Sequence, residues 1–486
     1  MKSSKSLAWP SVITLVIIYI GFPLMVCGQD ALKFNKNAKY TESVLTFLDG
    51  KTVKYRAYEN IFYVSKVVDS AYQSLNFYVP EKAYNDQKKA IFLKTNVGGY
   101  MAAKASAPSN ADATGRALLE GYVVVIPGAR GWNSKVDKND GTTVYTGRAP
   151  AAIVDLKAAI RYLRHNDAAM AGDAERIITD GTSAGGAMSS LLGASGNNPR
   201  YEPYLKALGA AVQRDDVFAT VAYCPIIDLE HSDIAYEWLY SGTNTKSRSL
   251  PPAQADVSNE LAALYPKHLN SLALKKPDGS LLTSENYLDY LKSFLITSAQ
   301  KARDDGMDFA ENSGVKLNKG FRGTSGEFVL DIDLDTYLDY VVSRQPLKTP
   351  PAFDKLGVLA GEASFENNLF GDDAGKPMNF TNFSLNKSAG SSSSSIDAMM
   401  QERVFLLNPM NFVGDGVSRT TKHWYIRHGA LDRDTAFNIS INFYTKLISK
   451  GYEVNFALPW NRQHRGDYDL NDLFAWIDEV VQSATK

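Results

Sequence analysis

The chain has 486 residues, of which 44% are hydrophobic and 22% charged, with a formal net charge of −1. This is the balance of a globular protein with a large core, and it excludes fibrous and low-complexity classes. It also leaves no electrostatic footprint for nucleic acid or an anionic membrane surface, which points to a small-molecule partner.

The first 28 residues, MKSSKSLAWPSVITLVIIYIGFPLMVCG, place two lysines before an apolar stretch and end on small residues. They read as a secretory signal, cleaved after Gly28, that sends the protein to the periplasm or the medium without stable membrane association. The alternatives are an uncleaved N-terminal anchor and acylation at Cys27, the latter opposed by bulky Val26. Removal of this segment leaves Cys224 alone, which excludes an intrachain disulfide. Gln73 to Pro80 alternates like an antiparallel strand. AIFLK (90–94) and YVVVI (122–126) are continuous apolar runs suited to central strands covered on both faces. AAIVDLKAAIRYLR (151–164) has helical spacing and leads into a strand that contains Ile177 and Ile178. A small-residue helix starts at Ala184, and VFATVAYC (217–224) is the next strand. This alternation predicts an α/β fold with a mostly parallel sheet.

From 225 to 402 the rhythm breaks into polar, tyrosine-rich, helical patches, with Pro-Pro at 251 and 350 and a serine run near Ser391. We read this stretch as an inserted lid between a first core part (29–224) and a second (403–486). Its position after the strand that follows the serine puts it at the carboxyl edge of the sheet, where ligands bind in open α/β folds. The rhythm resumes with WYIR (424–427), a helix from about Thr435 to Ser449, a strand from Glu453 to Leu458 and a last amphipathic helix ending near Gln482.

Gly181-Thr182-Ser183-Ala184-Gly185 lies between a strand and a helix, which is the context of a nucleophile elbow, as in α/β-hydrolases. A serine hydroxyl needs a base, in turn oriented by a carboxylate, and in this fold acid and then histidine follow the serine. Of six histidines, His464 lies in the loop between the last strand and the last helix, where the base belongs. The loop after WYIR offers Asp432 as the acid; Asp434 could cap the following helix or contact substrate. Oxyanion donors are expected from the amide of Ala184 and from Gly98 and Gly99 in TNVGGY. Asn379, Asn382 and Asn386 begin Asn-x-Ser/Thr sites to which we attach no function.

GRAPAAIVDLKAAIRYLRHN, GTSAGGAMSSLLGASGN, YEPYLKALGA, AYCPIIDLEHSDIAYEW, PAFDKLG, ENNLFG and RHGALDRD followed by His464 together resemble the bacterial tannases, esterases of the α/β-hydrolase superfamily. The likeness spans most of the mature chain, including the insertion. It implies a triad of Ser183, Asp432 and His464. It also implies that the hydroxyls of a galloyl ring are held by Asp434, by Glu366 in ENNLFG and by a lysine, for which Lys348 is the choice and Lys355 the competitor. The connection KLGVLAGEASF is longer than is usual in the family. The expected activity is hydrolysis of galloyl esters, and possible depsides, through an acyl-enzyme without metal or organic cofactor. A feruloyl or chlorogenate-type esterase and a catalytically silent binding protein are the rival readings.

Overall fold

A computed structural model describes residues 29–35, 37–241, 248–318, 327–391 and 393–483. The expected leader, residues 1–28, lies outside the described residues. Nine strands form the central sheet: β1 (Thr41–Thr46), β2 (Thr52–Phe62), β3 (Ser74–Pro80), β4 (Ala90–Thr95), β5 (Val123–Pro127), β6 (Asp173–Thr182), β7 (Ala219–Tyr223), β8 (His423–Arg427) and β9 (Glu453–Ala457). Their spatial order is β1-β2-β3-β5-β4-β6-β7-β8-β9. The first three strands run antiparallel, β3 meets β5 antiparallel, and every pair from β5 to β9 is parallel. The apolar runs read as central strands are buried along their whole length, because alternate side chains feed both faces of the sheet. Ile91 and Leu93 of β4 join the core on one face and Phe92 the core on the other. The β1–β2 hairpin was not expected from the sequence: β1 is largely exposed and polar, and in β2 Val53, Tyr55 and Ala57 alternate with Lys54 and Arg56 over a short run only, of which Tyr55 and Ala57 are buried.

The helices used below are α1 (Ala113–Glu120), α2 (Ala151–His165), α3 (Ala184–Ala194), α4 (Leu229–Ser241), α5 (Pro252–Ser271), α6 (Tyr287–Asp304), α7 (Leu334–Arg344), α8 (Phe365–Leu369), α9 (Phe437–Ser449) and α10 (Leu470–Ser483). Leu118 of α1 and Phe474 of α10 pack on the face that carries Phe92, Val124 and Ile178. Leu156 of α2, Leu191 of α3 and Phe443 of α9 belong to the opposite face, with Ile91, Val125 and Trp424. The small residues of α3 let it approach the sheet closely: a Cβ on Gly193 would stand 2.3 Å from Thr220 Oγ1 and 2.7 Å from the Trp424 ring.

Between β7 and β8 the described chain adds no strand to this sheet and instead builds α4 to α8 together with a separate hairpin, Val315–Asn318 with Phe328–Ile332. Its aromatic residues Tyr236, Tyr265, Tyr287 and Tyr337 are buried in the same cluster as Phe437 and Trp424 of the sheet layers. Tyr287 donates its hydroxyl to the Asn438 carbonyl at 3.0 Å, Asn438 returns its amide to the Ala235 carbonyl at 3.0 Å, and Tyr337 donates to the Ala430 carbonyl. The insertion is thereby fastened to the segment that follows β8. Among the described residues no helix is long and apolar enough to cross a membrane.

Candidate active site

Ser183 joins β6 to α3 with φ 63° and ψ −125°, a conformation that a residue with a Cβ adopts only when its surroundings enforce it. The enforcement is steric. A Cβ on Gly181 would lie 2.2 Å from the Gly185 carbonyl, and one on Gly185 would lie 2.4 Å from the Thr95 carbonyl. Thr95, at the end of β4, donates its hydroxyl to the carbonyls of Asp180 and Gly185 at 3.0 and 2.8 Å. The Ser183 amide donates to the Tyr223 carbonyl of β7 at 3.0 Å. Three parallel strands thus meet around one serine at their carboxyl ends.

His464 Nε2 lies 2.8 Å from Ser183 Oγ, and His464 Nδ1 lies 2.7 Å from Asp432 Oδ2. Asp432 is fully buried, and its other oxygen accepts the Asp434 amide at 2.8 Å. Burial works to raise the Asp432 pKa, but the charges of His464 and His428 and these hydrogen bonds outweigh it and hold the carboxyl below its ordinary range. Burial likewise disfavours a charged His464, yet the Asp432 carboxylate and its hydrogen bond push the imidazole above its ordinary value. His428, fully buried beneath the aspartate, is driven the other way by desolvation and donates or accepts at Ser440 Oγ at 2.9 Å. Such a chain can carry a proton off a hydroxyl and orient the imidazole that receives it.

The glycine loop after β4 faces the insertion. Gly99 has φ +55°, and a Cβ there would strike the Phe365 ring at 2.8 Å. Its carbonyl accepts the Trp132 indole at 2.9 Å, and Trp132 stacks on Phe365 with centroids 5.9 Å apart. Phe365 therefore seats α8 on the loop, which brings the next residue, Glu366, close to Tyr100. Glu366 is 9% exposed; burial raises its pKa, Lys348 is the strongest charge opposing that rise, and Lys355 is a weaker one. Lys348 Nζ sits 4.3 Å over the Phe353 ring, whereas Lys355 Nζ is committed to Thr349, donating to its carbonyl at 2.8 Å and its hydroxyl at 3.1 Å. Asp434 pairs with Arg433 at 2.8 Å. The capping alternative for Asp434 is corrected: α9 begins at Phe437 behind Ala436, and no side chain caps it.

The BD-FAE family model matches residues 75–263. Esterase LipQ of Mycobacterium tuberculosis is 34% identical over 90 residues, 18% of this chain and 20% of that protein. Among solved structures, Fusobacterium nucleatum tannase is 40% identical with a TM-score of 0.82, covering 93% of this chain and 99% of that one. Tannin acyl hydrolase from Lactobacillus plantarum gives the same four figures. The chain belongs to the bacterial tannase family. It is a carboxylic ester hydrolase of tannase type on the α/β-hydrolase fold, as the sequence motifs imply. A tannin acyl hydrolase solved in complex with ethyl gallate is 39% identical over 93% of this chain and 99% of that one, again with a TM-score of 0.82.

Several residues that hold this esterase site together escape sequence reading. Lys94 Nζ bridges Asp180 at 2.5 Å and Asp467 at 3.1 Å, tying the histidine loop to β4 and β6. Burial pushes the Asp180 carboxyl up against the pull of Lys94, while the charges of Asp180 and Asp467 outweigh burial at Lys94 and hold its ammonium above its ordinary value. Asp469 accepts the hydroxyls of Tyr223 and Tyr425 at 2.6 and 2.7 Å and the Arg427 guanidinium at 3.0 Å. The available signal was a lysine ending an apolar run and an aspartate three residues before the serine: charges inside strands buried on both faces.

In the insertion, Asp354 accepts from Asn367 at 2.8 Å, Asn379 at 2.6 Å, the Phe380 and Thr381 amides at 3.1 and 2.8 Å, and the Thr381 hydroxyl at 2.7 Å. Ser364 and Asn367 form a reciprocal cap on α8, so the long KLGVLAGEASF connection ends in a fixed helix start. Two groups have metal-ligand chemistry among the described residues: Cys224, Asp432 and His464, and Asp228, His231 and His268. In the first, Asp432 and His464 are spent on each other. In the second, the His231 and His268 rings stack 3.6 Å apart at 15°, so their lone pairs lie in parallel planes and do not converge on one point.

Proposed function

We propose that this chain cleaves galloyl esters, including depsides, with Ser183 as nucleophile, His464 as base and Asp432 as its orienting acid. The observation that carries the reading is the continuous Ser183–His464–Asp432 hydrogen-bond chain, accompanied by a buried carboxyl, Glu366, that follows the residue packed on the glycine loop, Phe365. His464 Nε2 takes the Ser183 proton as Oγ bonds to the ester carbon. The amides of Ala184 and of Gly98 or Gly99 receive the developing oxyanion, where loss of one donor costs about 3 to 4 kcal/mol. The leaving alcohol departs with the proton from His464, leaving a galloyl-enzyme. Water then gives a proton to His464 as it attacks the acyl carbon; the acyl–Oγ bond breaks, His464 returns the proton to Ser183 Oγ, and gallate leaves. These steps call for no metal or organic cofactor.

The ring's adjacent hydroxyls are met by Glu366, Asp434 and Lys348. A site built to bond hydroxyls rejects analogues that lack them, because its own polar groups are then left unpaired. The relative solved with ethyl gallate supports this acyl group. Export rests on the leader sequence. Initial rates on methyl gallate and methyl ferulate test the reading: gallate is favoured, and fast ferulate turnover with negligible gallate turnover sinks it in favour of a feruloyl-type esterase. Mass spectrometry of rapidly quenched reactions should show a galloyl adduct on Ser183 that is absent from Ser183→Ala; no ester-dependent adduct at all would point to a silent binding protein.

A further inference from the structure

Beside the catalytic loops lies a cavity of about 260 Å³ lined by Arg344, Leu431, Asn461, Arg462, Gln463 and Arg465. Three of the six lining residues are arginines and none is acidic. Arg462 lies 5.3 Å over the Tyr468 ring and Arg344 lies 5.9 Å over the Tyr340 ring; among the described residues none of the three arginines has an ion-pair partner. The acids of the two loops that carry Leu431 and Arg462 to Arg465 are engaged elsewhere: Asp432 with His464, Asp434 with Arg433, Asp467 with Lys94 and Asp469 with Arg427. Three like charges gathered in one concavity repel one another and focus a positive potential there.

The cavity is assembled from the end of α7, the loop of Asp432 and the loop of His464. Arg344 closes α7 four residues before Lys348, Leu431 precedes Asp432, and the other four residues surround His464 in sequence. The acyl side, marked by Glu366, lies against the Gly98–Gly99 loop, whereas this cavity belongs to the loop whose histidine hands a proton to the departing alcohol. We propose that Arg344, Arg462 and Arg465 form a subsite for a carboxylate carried by the leaving group. The enzyme then favours esters whose alcohol partner is itself a hydroxy acid, aromatic as in a depside or alicyclic. Guanidinium groups suit this role because they bind carboxylates through paired N–H donors. The inference rests on the galloyl-ester reading for its acyl group and adds the chemistry of the other half of the substrate.

The test compares two matched pairs: digallate with its methyl ester, and 3-acetoxybenzoate with its methyl ester. In each pair the free acid should have a kcat/KM about tenfold higher at low salt, an advantage carried by KM that shrinks as salt screens exposed charges. Arg344→Gln, Arg462→Gln and Arg465→Gln should each cut that ratio about twofold, and the triple replacement should bring it to about one. Because each ratio is read on one preparation, it does not depend on how much of a variant is folded. A wild-type ratio near one, or a ratio unmoved by the triple replacement, overturns the subsite. If the acetyl esters are cleaved and the galloyl esters are not, the galloyl reading fails by itself, and the acetyl pair still decides the subsite. Absence of turnover on all four substrates overturns both.

Discussion

Ser183 holds a positive-φ backbone because Gly181 and Gly185, two residues to either side, have no side chains to push back, so the elbow is sensitive to single methyl groups. Gly185→Ala would drive a Cβ against the Thr95 carbonyl and should cost about 1 to 3 kcal/mol, read as a lower urea midpoint together with reduced turnover; an unchanged midpoint would contradict the crowding. Asp432→Asn should lower kcat/KM by roughly 10⁴. It should also move the acid limb of the pH profile to lower pH, because the carboxylate that raises the His464 pKa is gone; an alkaline or absent displacement would count against this electrostatic pairing. The same pair sets a stability window. The lowered Asp432 contributes stability present above its unfolded value of 3.8 and lost as pH falls through the folded one, while the raised His464 contributes stability present below 6.5 and lost as pH rises through its folded value. Asp434→Ala and Glu366→Gln should each reduce methyl gallate kcat/KM about tenfold or more while phenyl acetate changes far less. Equal losses on both esters would remove them from ring recognition.

At the scale of elements, α8 is held by a buried anion rather than by its own five residues, too few to be stable alone. Asp354→Asn keeps the shape but turns one acceptor into a donor facing donors, which should cost about 3 kcal/mol. Faster hydrogen exchange over 353–381 and a higher KM for gallate should follow together; loss of one without the other would separate α8 from the acyl pocket. The elements of the sheet were legible because apolar runs and helical spacing report burial directly: β4, β5 and β8 fall within a residue or so of where AIFLK, YVVVI and WYIR place them. Ser183, Asp432 and His464 were legible because each occupies a fixed position relative to a strand end. Lys94, Asp467, Asp469 and Asp354 were not, since their partners stand tens to hundreds of residues away and no local period connects them. Trp132 escaped for the same reason, its partners Gly99 and Phe365 meeting it only in three dimensions.

Across the whole molecule, one hydrophobic cluster runs from Ile91 and Trp424 of the sheet through Phe437 into Tyr265, Tyr287 and Tyr337 of the insertion. Calorimetry should therefore record a single cooperative transition for sheet and insertion together; two resolved transitions would show that the insertion unfolds by itself. The insertion is then no detachable accessory. Excising it would strip cover from Tyr100, Ala430 and α9 and leave an aggregating remnant in place of a minimal, permissive esterase. Redirecting this scaffold toward other acyl groups is accordingly a matter of point replacements around 348–381, since a transplanted cassette would arrive with half of someone else's interior.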